Sequence, residues 1–324
     1  MMDNEKVQFI DIRSGAPPPG WGVRVDADAV AQLASSWESE AFPLPNWDYP
    51  GLPIGRTPPH WFDFCGLAVS VLACLWPPEG KEMWSTGHQG EELFDAPGVF
   101  ACFVRGVPVT KRGLNTAIFA DWDDEKAERF FAGSGVLQLI PARRRVLQQV
   151  SAILIERWEG HFMNLVEDAG FSAPGIVARL VSTFPSYRDE WASDQGLLAF
   201  NKLAHLSAAM MGSGGGIDFT GLETFPVYPD YMLPMVLRHF GVIHYQPGLA
   251  EAVDARHLIP AGGNWELAIR WATVYAGQQL TEALRRLGNP VMTPALDYFL
   301  WHQAVLGPRA GTMGEHHRTV TMAY

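Results

Sequence analysis

Cysteine is scarce in this 324-residue chain: Cys65, Cys74 and Cys102 are the three, with no CxxC spacing. That excludes a disulfide framework and leaves buried thiols, as in a reducing cytoplasm. Positive charge is scarce as well. Lys and Arg number 24 against 35 Asp and Glu, for a net charge of −11. Most of such a surface repels a long polyanion such as tRNA or DNA, so no direct nucleic-acid partner is expected. A small phosphorylated ligand needs only a local cation or two and stays admissible. Long apolar runs are missing too. The longest, Phe64 to Trp76, is too short to cross a bilayer and reads as a buried segment. The opening Met-Met-Asp-Asn-Glu-Lys is polar and acidic, unlike a secretory leader, so neither export nor a membrane partner is expected.

Several reactive patterns are also lacking. The ten histidines contain no HExxH, and adjacent His316 and His317 diverge, so no metal site is expected. No GxSxG or Cys–His spacing supports acyl chemistry. Gly212-Ser213-Gly214-Gly215-Gly216 lacks the Lys-Ser/Thr and preceding strand of a phosphate loop, and reads as a flexible connection between helices.

What is present describes a globular protein with a sizeable core: 48% hydrophobic and 18% charged residues. The 12 Trp and 18 Phe favour a stacking pocket without locating it. Residues 1–60 are punctuated by Pro and Gly and read as an irregular section packed on the body, with one short helix near Ala29–Trp37. Residues 61–324 read as a single, mainly α-helical domain. Val146, Val150, Ile153 and Leu154 share one helical face before Gly160 interrupts the run. Further helices are predicted at Gly175–Phe184, Leu197–Met211, Tyr231–Phe240, Trp265–Leu287 and Pro294–Leu306. Thr293 is an N-cap candidate before Pro294, Gly241 follows its helix, and Gly307-Pro308 closes the last one. Strand signals are confined to Val7–Ile12 and Val99–Val104, and neither alternates convincingly.

Two segments place a carboxylate among aromatic rings: Tyr228-Pro229-Asp230-Tyr231-Met232-Leu233-Pro234 and Leu296-Asp297-Tyr298-Phe299-Leu300-Trp301-His302. A flat heterocycle with exocyclic donors asks for rings to stack on and acids to hydrogen-bond, and an acid near a sugar could stabilise positive charge during glycosidic cleavage. Asp230 sits where a helix begins, so it is either an N-cap or a carboxylate projecting at the helix mouth between Tyr228 and Tyr231. Asp297 and Trp301 are four apart on one helical face, and an acid on an aromatic, apolar face is harder to explain as packing. Lys202 is either a snorkelling surface lysine or a phosphate ligand.

These segments, in order, resemble the queuosine salvage family, the queuosine 5′-phosphate N-glycosylase/hydrolases. The likeness is carried by Phe62-Asp63-Phe64, Arg143 to Leu147, Glu156 to Val166, Phe184-Pro185-Ser186-Tyr187-Arg188-Asp189 and Phe200-Asn201-Lys202. The two acidic aromatic segments, Glu266 to Arg270, and His317-Arg318 with Tyr324 complete it, covering about residues 60–324. Departures include Tyr228 for Phe, Pro229 for Ala, Met232 for Arg and Cys65 for Trp. The resemblance implies a helical fold similar to the DNA glycosylases, acting on queuosine 5′-monophosphate to release queuine without metal or other cofactor. It assigns Asp230 as the catalytic carboxylate. Phe62, Tyr228 and Trp301 would wall the deazaguanine, with Tyr231 beside them. Asp297 would accept from the base, His302 or Asp63 would face the cyclopentenediol, and Lys202, with Arg318 second, would hold the phosphate. A protein that captures queuine or its nucleoside without cleavage is the competing expectation.

Overall fold

The computed structural model describes residues 8–45, 47, 52–53, 57–305 and 311–324. Among them the chain forms twelve α-helices and six short strands paired two by two, a mainly helical architecture. In chain order these are β1 (Val23–Val25), α1 (Ala27–Ser36), α2 (Pro58–Val69), β2 (Ser85–His88), β3 (Glu91–Phe94), α3 (Asp95–Gly106), α4 (Asp124–Phe130), α5 (Ile140–Trp158), α6 (Phe162–Asp168), α7 (Ala173–Thr183), β4 (Glu190–Ser193), β5 (Gly196–Ala199), α8 (Lys202–Gly214), α9 (Met232–His239), β6 (Ile243–Tyr245), α10 (Pro247–Asp254), α11 (Asn264–Arg286) and α12 (Thr293–Val305).

The chain divides into two compact units, each gathered from separated stretches. The first comprises the described parts of Met1–Leu44, Asp189–Lys202 and Glu223–Val320; the second comprises those of Pro45–Arg188, Leu203–Leu222 and Thr321–Tyr324.

The first unit is organised around α11. Glu266 in its first turn and Arg285 and Arg286 in its last complement the helix dipole, and most of its middle is buried, from Leu267 to Leu284. Against it pack α1, started by the Asp26 carboxylate accepting from Asp28 and Ala29 N–H at 3.1 Å each, and α9. The β1 strand pairs antiparallel with β6, Val23 opposite Tyr245 and Val25 opposite Ile243. The β4–β5 hairpin ends at Ala199, and Asn201, with a φ of +48°, turns the chain into α8.

The second unit is built on α2, buried on every side from Trp61 to Val69. Gly66 lets α2 approach α6: a Cβ there would fall 2.3 Å from the Phe162 ring. The fully buried Arg143 of α5 donates to the carbonyls of Val71, Ala73, Cys74 and Gln138.

Several sequence expectations change. Val99–Val104 lies inside α3, because a short, largely buried apolar run fits a core helix as well as a strand. Val7 and Gly307-Pro308 lie outside the described residues, and Phe9 makes one parallel bridge to Leu197. Leu197–Ala199 is strand, so the helix begins only at Lys202. That helix then runs through the glycine-rich stretch as far as Gly214. A Cβ at Gly212 would sit 2.9 Å from Phe219, and one at Gly214 2.6 Å from Trp61, so these glycines serve close packing. Gly241 does adopt the left-handed conformation after α9, with φ +72°.

Candidate functional site

The two acidic aromatic segments meet in the first unit. The main-chain N–H of Tyr228 donates to Asp297 Oδ1 at 2.6 Å, docking the loop before α9 on the N-terminal half of α12. Two residues on, Asp230 Oδ1 accepts from the N–H groups of Met232 and Leu233 at 2.8 and 3.0 Å, satisfying amides that the helix start leaves unpaired. Of the two readings open in the sequence, these hydrogen bonds give Asp230 the capping one, and it uses one oxygen. Asp230 Oδ2 has no hydrogen-bond partner among the described residues, and the side chain is half-buried.

Charge is concentrated here. Asp297 is 7% exposed, and burial raises its pKa well above the ordinary 3.8. The Tyr228 amide and the Lys202 ammonium pull the other way, and the negative charge of Asp230 pushes it further up. Lys202, the first residue of α8 and mostly buried, thus shares one electrostatic neighbourhood with both acids. Burial, and secondarily Asp297, hold the Tyr228 phenol far above 10, so this ring stays neutral.

Aromatic rings neighbour the acids in sequence. Tyr231 is buried and packs on the His316 ring at 4.9 Å between centroids. On α12, Trp301 stands one turn beyond Asp297 and stacks on Tyr298 at 6.0 Å and 27°, with His302 at 6.1 Å from the same ring. Arg318 is 9% exposed; its carbonyl accepts from Ile259 N–H at 2.8 Å and its guanidinium lies 3.9 Å from Glu315.

Phe62 and Asp63 belong to the second unit. Phe62 is fully buried against Phe219, 5.6 Å away. Asp63 is fully buried as well. Its Oδ1 accepts from Phe162 N–H at 2.7 Å, and its Oδ2 accepts from Leu114 N–H at 2.9 Å and meets His161 Nδ1 at 2.8 Å. Burial raises its pKa against these contacts. Both oxygens serve as a staple across the second unit.

Sequence reasoning gave no role to Arg270, Asp189 and Glu266. Arg270 is fully buried, donates Nε to the Pro229 carbonyl at 3.2 Å, and pairs with Asp189 and with Glu266 Oε1, the latter at 3.1 Å. The Glu266–Arg270 spacing of four on one helix was a visible signal. His316, considered in the sequence only as a metal ligand, packs beside Tyr231. Its Nδ1 donates to the His317 carbonyl at 2.8 Å, and burial, with help from Arg318, keeps its pKa below 6.5, so the ring is neutral near pH 7.

Chemically, a carboxylate with one oxygen pinned and the other open can face a developing cation. A buried acid between aromatic rings can accept from a heterocycle, and one ammonium can hold an anion. Among the described residues no three His, Cys, Asp or Glu side chains are grouped to hold a metal ion.

Comparison with known proteins identifies the family. Residues 62–324 match the family described as queuosine salvage protein. A relative from Sphaerobacter thermophilus, named queuosine 5′-phosphate N-glycosylase/hydrolase, is 29% identical over 318 residues, covering 93% of each chain. Relatives of the same name from Mus musculus and Bos taurus are 28% and 29% identical over 213 residues, covering 62% and 61% of each chain respectively.

Proposed function

Since the chain belongs to the queuosine salvage protein family, we propose that it hydrolyses the N-glycosidic bond of queuosine 5′-monophosphate, releasing queuine and ribose 5-phosphate. The C1′–N bond breaks with its electron pair leaving on the base, which takes up a proton. Water supplies the new C1′–O bond and loses a proton. Between these events the ribose carries oxocarbenium character, and the open Oδ2 of Asp230 stabilises it. The capping amides hold that carboxylate in place before substrate arrives, so little reorganisation is needed during the reaction.

Asp297 accepts from the amino and ring N–H groups of the base, with Tyr228, Tyr231 and Trp301 as walls. His302 faces the cyclopentenediol. Lys202 holds the 5′-phosphate, with Arg318 as the second cation. No nucleic acid, membrane or cofactor takes part. The net charge of −11 disfavours a polyanion, and no helix is long and apolar enough to cross a membrane among the described residues. A cytoplasmic location goes with this reading and with three buried free thiols. The reading also takes the fold as similar to the DNA glycosylases, which the predominance of helix supports.

One observation carries the assignment: the Tyr228–Asp297 hydrogen bond brings both acids and Lys202 into one neighbourhood. Chromatography of the nucleotide incubated with wild type and D230N tests it. D230N should lose about 2–4 kcal/mol of barrier lowering. Equal turnover would remove Asp230 from the chemistry. An intact nucleotide after long incubation, with tight queuine binding, would make the protein a queuine carrier instead.

A further inference from the structure

Three consecutive residues of the acidic loop are each anchored separately. Tyr228 N–H is held by Asp297, the Pro229 carbonyl by Arg270 Nε, and Asp230 Oδ1 by the start of α9. Pro229 has no N–H, so its carbonyl is the one main-chain handle it offers. The group that takes this handle is unusual. Arg270 is fully buried between two carboxylates: Nη1 reaches Asp189 Oδ1 at 3.1 Å and Glu266 Oε1 at 3.1 Å, and Nη2 pairs with Asp189 Oδ2. Its guanidinium also lies over the Phe200 ring, 4.0 Å from the centroid.

Asp189 connects this cluster to the other end of the site. Its carboxylate grips Arg270 and accepts from Trp191 Nε1 at 2.8 Å. Its main chain clasps the residues just before Lys202: its carbonyl takes Phe200 N–H at 2.9 Å, and its N–H donates to Asn201 Oδ1 at 2.9 Å. Buried ion clusters are costly to assemble, and apolar replacements often serve stability equally well. Here the fork geometry ties the segment before the phosphate-binding cation to the segment before the catalytic carboxylate.

We propose that Arg270, held by Asp189 and Glu266, is a positioning residue that acts through the Pro229 carbonyl to fix Asp230 against the anomeric carbon, in register with Lys202. This rests on the glycosidase reading above. R270K keeps the charge and loses the fork.

Turnover of queuosine 5′-monophosphate by wild type, R270K, D230N and the double variant, with queuine affinity by calorimetry, tests it. A small misplacement of a reacting group costs about a hundredfold, so R270K should lower kcat by about that factor. KM and queuine affinity should stay close to wild type, and R270K should add nothing to the loss already present in D230N. A loss confined to KM, or the same factor in both backgrounds, would overturn the positioning role and leave a purely structural one. If R270K does not fold, the isosteric D189N carries the same readouts. Wild type turning over while R270K matches it defeats the positioning role alone; wild type without turnover defeats the glycosidase reading and this role with it.

Discussion

Tyr228 and Asp297, 69 residues apart in sequence, are joined by an N–H···O hydrogen bond of 2.6 Å. The bond gives a buried carboxylate one strong donor and still leaves its pKa raised, since burial outweighs the donor. The cost of burying this acid is measurable.

For Asp297 the folded state binds a proton more tightly than the unfolded chain, whose value is near 3.8. Stability should fall as pH rises from that value toward the folded pKa, with a slope of at most about 1.4 kcal/mol per pH unit. D297N should remove this decline while weakening substrate binding. Thermal unfolding of both proteins from pH 4 to 8 checks it; a constant difference between them would refute the assignment.

Asp230 combines a cap with the proposed chemistry, and two substitutions separate them. Asn caps as well as Asp, so D230N should unfold close to wild type, whereas D230A should lose about 1 kcal/mol. Both should lose turnover. Denaturant titration beside activity assays reads the two effects, and an active D230N would leave only the cap.

Lys202 is mostly buried beside the acids, where a phosphate would take its charge. Hydrogen bonds to charged groups contribute about 1.5–3 kcal/mol, so K202A should cost roughly ten- to a hundredfold in kcat/KM on the nucleotide. The unphosphorylated nucleoside should suffer far less. Equal losses on both substrates would assign Lys202 to scaffolding.

His317 runs opposite to Asp297 in pH. Burial, then the nearby charges of His316 and Arg270, lowers its pKa to about 3 from 6.5. The unfolded chain takes the proton first, so stability is full above about pH 6.5 and drains away as pH falls toward 3. H317N should flatten that acid limb by about one proton's slope. Unfolding midpoints between pH 4 and 7 decide it, and an unaltered slope would count against the assignment.

Asp230 and Asp297 stood out in the sequence because acids among aromatic and apolar neighbours are anomalous. Their meeting was not readable there, since it depends on one hydrogen bond between residues 69 apart, with three helices and a strand between them. The Arg270–Asp189 pair spans 81 residues and left no local pattern, although Glu266 four before Arg270 showed half of the cluster. Asp63 entered only through the family resemblance, as the alternative to His302 for the cyclopentenediol. What distinguishes it, donors from Leu114, Phe162 and His161, comes from 51 to 99 residues away. Amphipathic helices such as α1 were legible. The all-buried α2 was not, because a helix without a polar face shows no stripe to count.

The pairing of β1 with β6 has a bearing on synthesis. Val23 leaves the ribosome long before Tyr245, its partner across the ladder. The amino-terminal portion of the first unit must therefore wait, partly collapsed, until the carboxy-terminal third is made. Nascent chains of this protein should lean on chaperones during that interval, and premature termination should yield aggregation rather than a smaller working enzyme.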